Sequence, residues 1–123
     1  MAVKPTILII DDSKELLEVV QLLLEKQGYK VITQTSSNDI AEFVQEIKIS
    51  LLIIDVILNG ANGRDVCREL KSSARTNYFP IIIMSASPKY LRDHTDCEAD
   101  DFIEKPFDTR TLFRKVGKVV GSW

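Results

Sequence analysis

The sequence predicts a doubly wound α/β domain: a five-stranded parallel sheet with five helices on its two faces. Two observations carry this prediction. The apolar runs TILII (6–10), LLIID (51–55) and PIIIMS (80–85) do not alternate with polar residues, as expected of strands buried on both faces. Segments of helical spacing separate the strands, so strand and helix alternate five times, and right-handed crossovers then place helices on both faces. The 123 residues suit one domain.

Each element has its own signal. The first strand, 6–10, leads into SKELLEVVQLLLEKQG, where Leu16, Leu17, Val20, Leu23 and Leu24 recur at three- and four-residue steps. Ser13 or Asp12 is the expected cap of this helix and Gly28 its end. KVITQ (30–34) reads as a strand nearer an edge, followed by a helix over 38–47 with Ile40, Phe43, Val44 and Ile47 inward. The central strand 51–55 precedes a helix over 64–72 that buries Val66, Cys67 and Leu70. After strand 80–85, a fourth helix near 89–98 is poorly patterned, with Tyr90, Leu91 and Cys97 as its sizeable apolar groups. DDFIEK (100–105) is the second edge strand. Asp108 caps a last helix reaching about Val120 and burying Leu112, Val116 and Val119 or Val120.

Composition removes several function classes. Apolar residues make up 45% and charged residues 28%, with a net charge of −2 and a pI near 5.4, so no basic footprint marks nucleic acid or anionic lipid. No run approaches the ~20 apolar residues of a membrane span, and no signal peptide is evident. A soluble cytoplasmic protein is expected. Cys67 and Cys97 fit no metal-ligand spacing and read as small semi-buried thiols. The expected organisation is one domain over 1–123 with no output domain, and the start at Met1 favours a stand-alone protein.

Chemistry collects at the strand ends. ILIIDDS (7–13) closes an apolar run with two adjacent carboxylates, Asp11 and Asp12; Asp55 closes the third strand, Ser85 the fourth, and Lys105 follows the fifth. In the flavodoxin-like order 2-1-3-4-5, strands one and three are neighbours and all five residues share one rim, where open α/β sheets bind ligands. Carboxylates ~4 Å apart repel by about 4 kcal/mol at an effective dielectric near 20, which is large against a domain stability of about 5–15 kcal/mol. A divalent cation relieves this, and oxygen-only ligands select Mg²⁺. With Lys105 as a point charge and Ser85 as a hydroxyl donor, the set suits phosphoryl transfer, and Asp55, before the glycine-bearing loop VILNGANG, is the candidate nucleophile.

ILIIDDS, LLIIDVILNGANG, IIIMSAS and DDFIEKPF, in that order across nearly the whole chain, resemble the receiver domains of two-component response regulators. The resemblance implies a signalling phosphoacceptor rather than an enzyme. Asp55 would take a phosphoryl group from the phosphohistidine of a sensor histidine kinase or histidine phosphotransfer protein. Asp11, Asp12, Asp55 and the backbone carbonyl of Ile57 would hold Mg²⁺. Lys105, the Ser85 hydroxyl and the Ala86 backbone N–H would meet the phosphate. Phe102 corresponds to the aromatic switch, Ile57 and Ser87 to positions that tune autodephosphorylation, and Pro106 to a proline with a cis peptide bond. The implied output surface is helix 4–strand 5–helix 5, with Tyr90 a contact; it allows a phosphorylation-dependent dimer, and the downstream target is unknown.

Three features depart from the family pattern. Asn59 stands where a proline is usual, Ala61-Asn62-Gly63 replaces Met-Asp-Gly, and Phe102 lacks a tyrosine hydroxyl. A bulky Ile57 beside the phosphate points to slow hydrolysis.

Other readings fit less well. A phosphatase with an aspartyl-phosphate intermediate would carry Asp-x-Asp and a substrate cap, whereas this chain has Asp-Asp-Ser. A nucleotide-binding domain lacks its glycine motif, and a degenerate receiver would not retain all five rim residues. His94 reads as a solvated helix residue, and Trp123 receives no role.

Overall fold

The computed structural model describes residues 4–121; Met1 and Trp123 lie outside them. Along the chain run β1 (Thr6–Ile10), α1 (Lys14–Lys26), β2 (Lys30–Gln34), α2 (Ile40–Glu46), β3 (Leu51–Asp55), β4 (Ile57–Leu58), β5 (Ala61–Asn62), α3 (Gly63–Lys71), β6 (Ile81–Ser85), β7 (Asp101–Glu104) and α4 (Thr109–Val120). Five of the strands form one parallel sheet, β2-β1-β3-β6-β7, which is the expected 2-1-3-4-5 order.

The continuous apolar runs are explained by two cores. Leu8, Ile10, Leu52, Ile54, Ile81 and Ile83 face α2 and α3, meeting Ile40, Val44, Cys67 and Leu70. Their chain neighbours Ile7, Ile9, Leu51, Ile53, Ile82 and Met84 face α1 and α4, meeting Leu17, Val20, Leu24, Leu112 and Val116. Successive strand residues point to opposite faces, so a strand covered on both sides has no polar position to spare.

Helix ends follow local chemistry. The Ser13 side chain accepts from the Leu16 N–H at 3.2 Å and caps α1. Gly28 follows its end at φ 96°, a left-handed conformation that glycine adopts without a Cβ penalty. Asp108 caps α4, its side chain accepting from the Thr111 N–H at 2.7 Å; that hydrogen bond holds the Asp108 carboxyl below its usual pKa.

Three expectations need correction. The fourth helix is absent: two 3₁₀ turns, Pro88–Tyr90 and His94–Cys97, stand in its place, so the described residues contain four α-helices. In the stretch 88–97 only Leu91 and Cys97 are buried, too little apolar surface to hold an amphipathic helix on the sheet. Second, α2 ends at Glu46, and Ile47 is extended and 43% exposed rather than inward. Third, the loop after Asp55 contains a small antiparallel hairpin pairing Ile57 with Asn62 and Leu58 with Ala61. Its turn is Asn59-Gly60, with Gly60 at φ 81° in the position that needs left-handed backbone. No helix among the described residues is long and apolar enough to cross a membrane.

Candidate functional site at the carboxyl rim of the sheet

The rim gathers the strand-end residues because strand registers align them. Asp55 pairs in register with Met84, one residue before Ser85, and Ser85 pairs with Glu104, one residue before Lys105. The Lys105 N–H donates to the Ser85 carbonyl at 2.8 Å, and the Lys105–Pro106 peptide is cis, as expected from the family resemblance.

Lys105 is the hinge of the electrostatics. Its Nζ donates to Asp11 Oδ2 at 2.7 Å and to Asp55 Oδ2 at 2.5 Å. Asp11 is fully buried and Asp55 is 6% exposed, so neither could stay charged cheaply without this partner. The other oxygens are also engaged: Asp11 Oδ1 accepts from the Ser13 N–H and Asp55 Oδ1 from the Ile57 N–H, both at 2.9 Å.

Burial raises the Asp55 pKa above the usual carboxylate value, and the hydrogen bonds from Lys105 and Ile57 only partly offset this. For Lys105, burial acts to lower the pKa, but the hydrogen bonds and charges of Asp11 and Asp55 prevail and raise it.

Asp12 completes the cluster. One carboxylate oxygen from each of Asp11, Asp12 and Asp55 lies within 4.8 Å of the others. Asp12 is exposed, and Ser13 rather than Asp12 caps α1, so its carboxylate has no capping duty to explain its place. When all three are ionised, Lys105 leaves a net charge of about −2 on the rim, the charge a divalent cation would balance. The donor set is all oxygen, which fits a hard ion.

The remaining candidates lie around this centre. Ser85 is fully buried, and its Oγ accepts from the Ser87 N–H at 3.0 Å. Ala86 is exposed on the rim, and Ile57 is 57% exposed beside Asp55. Gly63, which starts α3, lies against the phosphoacceptor candidate's backbone: a Cβ there would sit 2.1 Å from the Asp55 carbonyl oxygen.

Phe102 is half-buried beside the His94 ring, with centroids 5.1 Å apart, and Lys115 Nζ stands 4.0 Å from its ring centroid. His94 therefore is not a solvated helix residue: it packs on Phe102 within a 3₁₀ turn, and its Nδ1 is buried without a hydrogen-bond partner. Tyr90 is half-buried and packs against the α2–α3 core.

Sequence reasoning missed Arg64. From the first turn of α3, its Nη1 donates to the Tyr90 carbonyl at 2.5 Å and its Nη2 to the Asp93 carbonyl at 3.1 Å. Only the helical spacing Arg64-Cys67-Lys71, a row of potential donors on one face, could have signalled it.

Cys67 and Cys97 are both fully buried, Cys67 donating to the Cys97 carbonyl at 3.1 Å, and burial drives the Cys67 pKa far up. They are structural thiols with no solvent access.

Comparison with known proteins accords with this arrangement. The family profile of the response regulator receiver domain matches residues 7–117. Among solved structures, a putative response regulator from Chloroflexus aurantiacus is 25% identical, with 96% of this chain and 98% of that one covered at a TM-score of 0.89. Chemotaxis protein CheY4 of Vibrio cholerae is 22% identical, covering 95% and 99% at 0.85. The receiver domain of a Pseudomonas aeruginosa sensor histidine kinase, with a magnesium ion coordinated in its active-site cleft, is 20% identical, covering 98% and 100% at 0.85.

Proposed function

The chain belongs to the response regulator receiver domain family, a family of phosphoaccepting signalling modules, and from that premise we propose that Asp55 is the residue that takes the phosphoryl group. An Asp55 carboxylate oxygen attacks the phosphorus of a phosphohistidine on a sensor kinase or phosphotransfer protein. The P–N bond breaks, an acyl phosphate forms, and the imidazole leaves. Hydrolysis of that acyl phosphate returns the carboxylate. The observation that carries this reading is the Lys105 ammonium bridging buried Asp11 and Asp55.

In this reading Asp11, Asp12, Asp55 and the Ile57 carbonyl hold Mg²⁺. The all-oxygen cluster supports this, as does the ion in the cleft of the Pseudomonas receiver. When bound, the ion neutralises charge on the phosphoryl oxygens. The protein's own groups do the rest: Lys105 and the Ala86 N–H meet those oxygens, and the Ser85 hydroxyl turns from Ser87 to join them.

Phosphorylation then favours the state in which Ser85 and Lys105 reach the phosphate, with Phe102 following by packing. The readout surface comprises the 3₁₀ turns, β7 and α4, with Tyr90 as a contact. Beside the acidic cluster, Leu16, Val19, Leu23, Pro106 and Phe107 line an apolar groove that suits a protein donor. We place the protein in the cytoplasm, where histidine kinases present phosphohistidine.

Intact mass after incubation with acetyl phosphate tests the assignment. Wild type gains one phosphoryl group only with Mg²⁺ present, and Asp55→Asn gains none. Equal labelling of Asp55→Asn would overturn the assignment.

A further inference from the structure

The stretch 88–97 poses a physical problem. With only Leu91 and Cys97 buried, it cannot be held on the molecule by apolar packing alone. Two donors on one face of α3, Arg64 and Cys67, reach carbonyls inside it, and a third on the same face, Lys71, holds Asp100 just beyond it. Arg64 binds the carbonyls of Tyr90 and Asp93. Cys67 binds the carbonyl of Cys97 at 3.1 Å. Lys71 binds Asp100 Oδ2 at 2.7 Å, the oxygen that also accepts from the Ile81 N–H at 2.8 Å.

Of the three, Arg64 is the anchor nearest the rim, and it alone reaches two carbonyls in the stretch. A planar guanidinium presents its donors in a fixed fork, so both carbonyls are held in one relative orientation. Arg64 is also tied to the phosphoacceptor candidate. It follows Gly63, whose N–H donates to the Val56 carbonyl at 2.7 Å and whose Cα lies too close to the Asp55 carbonyl for any Cβ. A displacement of the backbone at 55–56 is therefore carried into α3, because the contact leaves no slack to absorb it.

We propose that Arg64 is a positioning residue of the switch: it couples the backbone behind Asp55 to the orientation of the segment 88–97. The proposal rests on the reading of Asp55 as phosphoacceptor. It assigns the response of this segment to a route through α3, in addition to the route through Ser85 and Phe102.

Hydrogen–deuterium exchange of the full chain tests it, with wild type, Arg64→Ala and Arg64→Lys, each free and with beryllofluoride plus Mg²⁺ standing in for the phosphoryl group. In the free proteins, amides of 88–97 exchange about tenfold or more faster in Arg64→Ala, as loss of charge-assisted hydrogen bonds implies. Arg64→Lys is intermediate, because an ammonium holds one carbonyl but not the pair. Amides of β1 and β3 report unchanged folding.

The decisive readout is the response to beryllofluoride. The change it produces at 88–97 in wild type falls to less than about half in Arg64→Ala and is partly rescued in Arg64→Lys, at a saturation confirmed by protection at β3 and the rim. Free-state exchange equal to wild type in Arg64→Ala would overturn the anchor. A full-sized response in that variant would overturn the coupling. If wild type is protected neither at the rim nor at 88–97, the phosphoacceptor reading falls and the coupling with it; protection at the rim with no change at 88–97, or a change there matched by the variant, removes the coupling alone.

Discussion

At the scale of single residues, the site is a balance of charge against burial. Asp11 and Asp55 were legible from the sequence because an apolar run rarely ends in acid without a reason, and Lys105 because it follows a strand that reaches the same rim. The sequence did not show that one ammonium serves both carboxylates, since its hydrogen bonds span 94 and 50 positions. Ile57 is the residue whose consequence is most directly testable. It is 57% exposed and its N–H donates to Asp55 Oδ1 at 2.9 Å, which puts a bulky apolar residue next to the candidate phosphoacceptor. Replacing it by asparagine should shorten the phosphoform's lifetime about tenfold, a barrier change near 1.4 kcal/mol. Timed intact-mass measurements check this, and equal lifetimes would remove Ile57 from control of hydrolysis.

At the scale of elements, strongly patterned segments were read well and weakly patterned ones were not. The three inner strands β1, β3 and β6, and α1 with its regularly repeating apolar residues, lie where spacing puts them. The 89–98 region has too few apolar groups for a helix, and its placement by Arg64 and Cys67 depends on carbonyls whose position only the folded chain defines. The hairpin after Asp55 had a local signal in Asn59-Gly60 but is only two residues long on each side, below the length at which strand patterning speaks.

Its partner in the site is the start of α3. A Cβ on Gly63 would meet backbone, not a movable side chain. Gly63→Ala should therefore destabilise the domain by about 3 kcal/mol, read as a lower urea midpoint at unchanged slope. It should also slow phosphorylation, because Asp55 must shift to make room. A variant of wild-type stability and rate would show that the α3 start yields easily.

For the whole molecule, the rim's net negative charge is a cost that a bound cation relieves. Mg²⁺ at ten times its dissociation constant should add about 1.4 kcal/mol of stability, seen as a rise of a few degrees in melting temperature. Asp12→Asn should lose most of that rise, because Asp12 supplies the exposed carboxylate of the three. An undiminished rise would place the ion elsewhere. The two-core architecture makes this site affordable: the apolar sheet interior is complete without the rim, so charged groups can gather at the strand ends without opening the core.

The sequence by itself determined the five strands of the main sheet, the α/β class and the identity of the charged rim residues, because these rest on local periodicity and on charged residues placed at the ends of apolar runs. Tertiary structure alone decided that Lys105 bridges two aspartates, that Gly63 presses on the Asp55 backbone, that His94 packs on Phe102 and that Arg64 holds the 88–97 stretch. Each of these joins groups far apart in the chain or set by close packing, and their geometry exists only once strand register has brought them together.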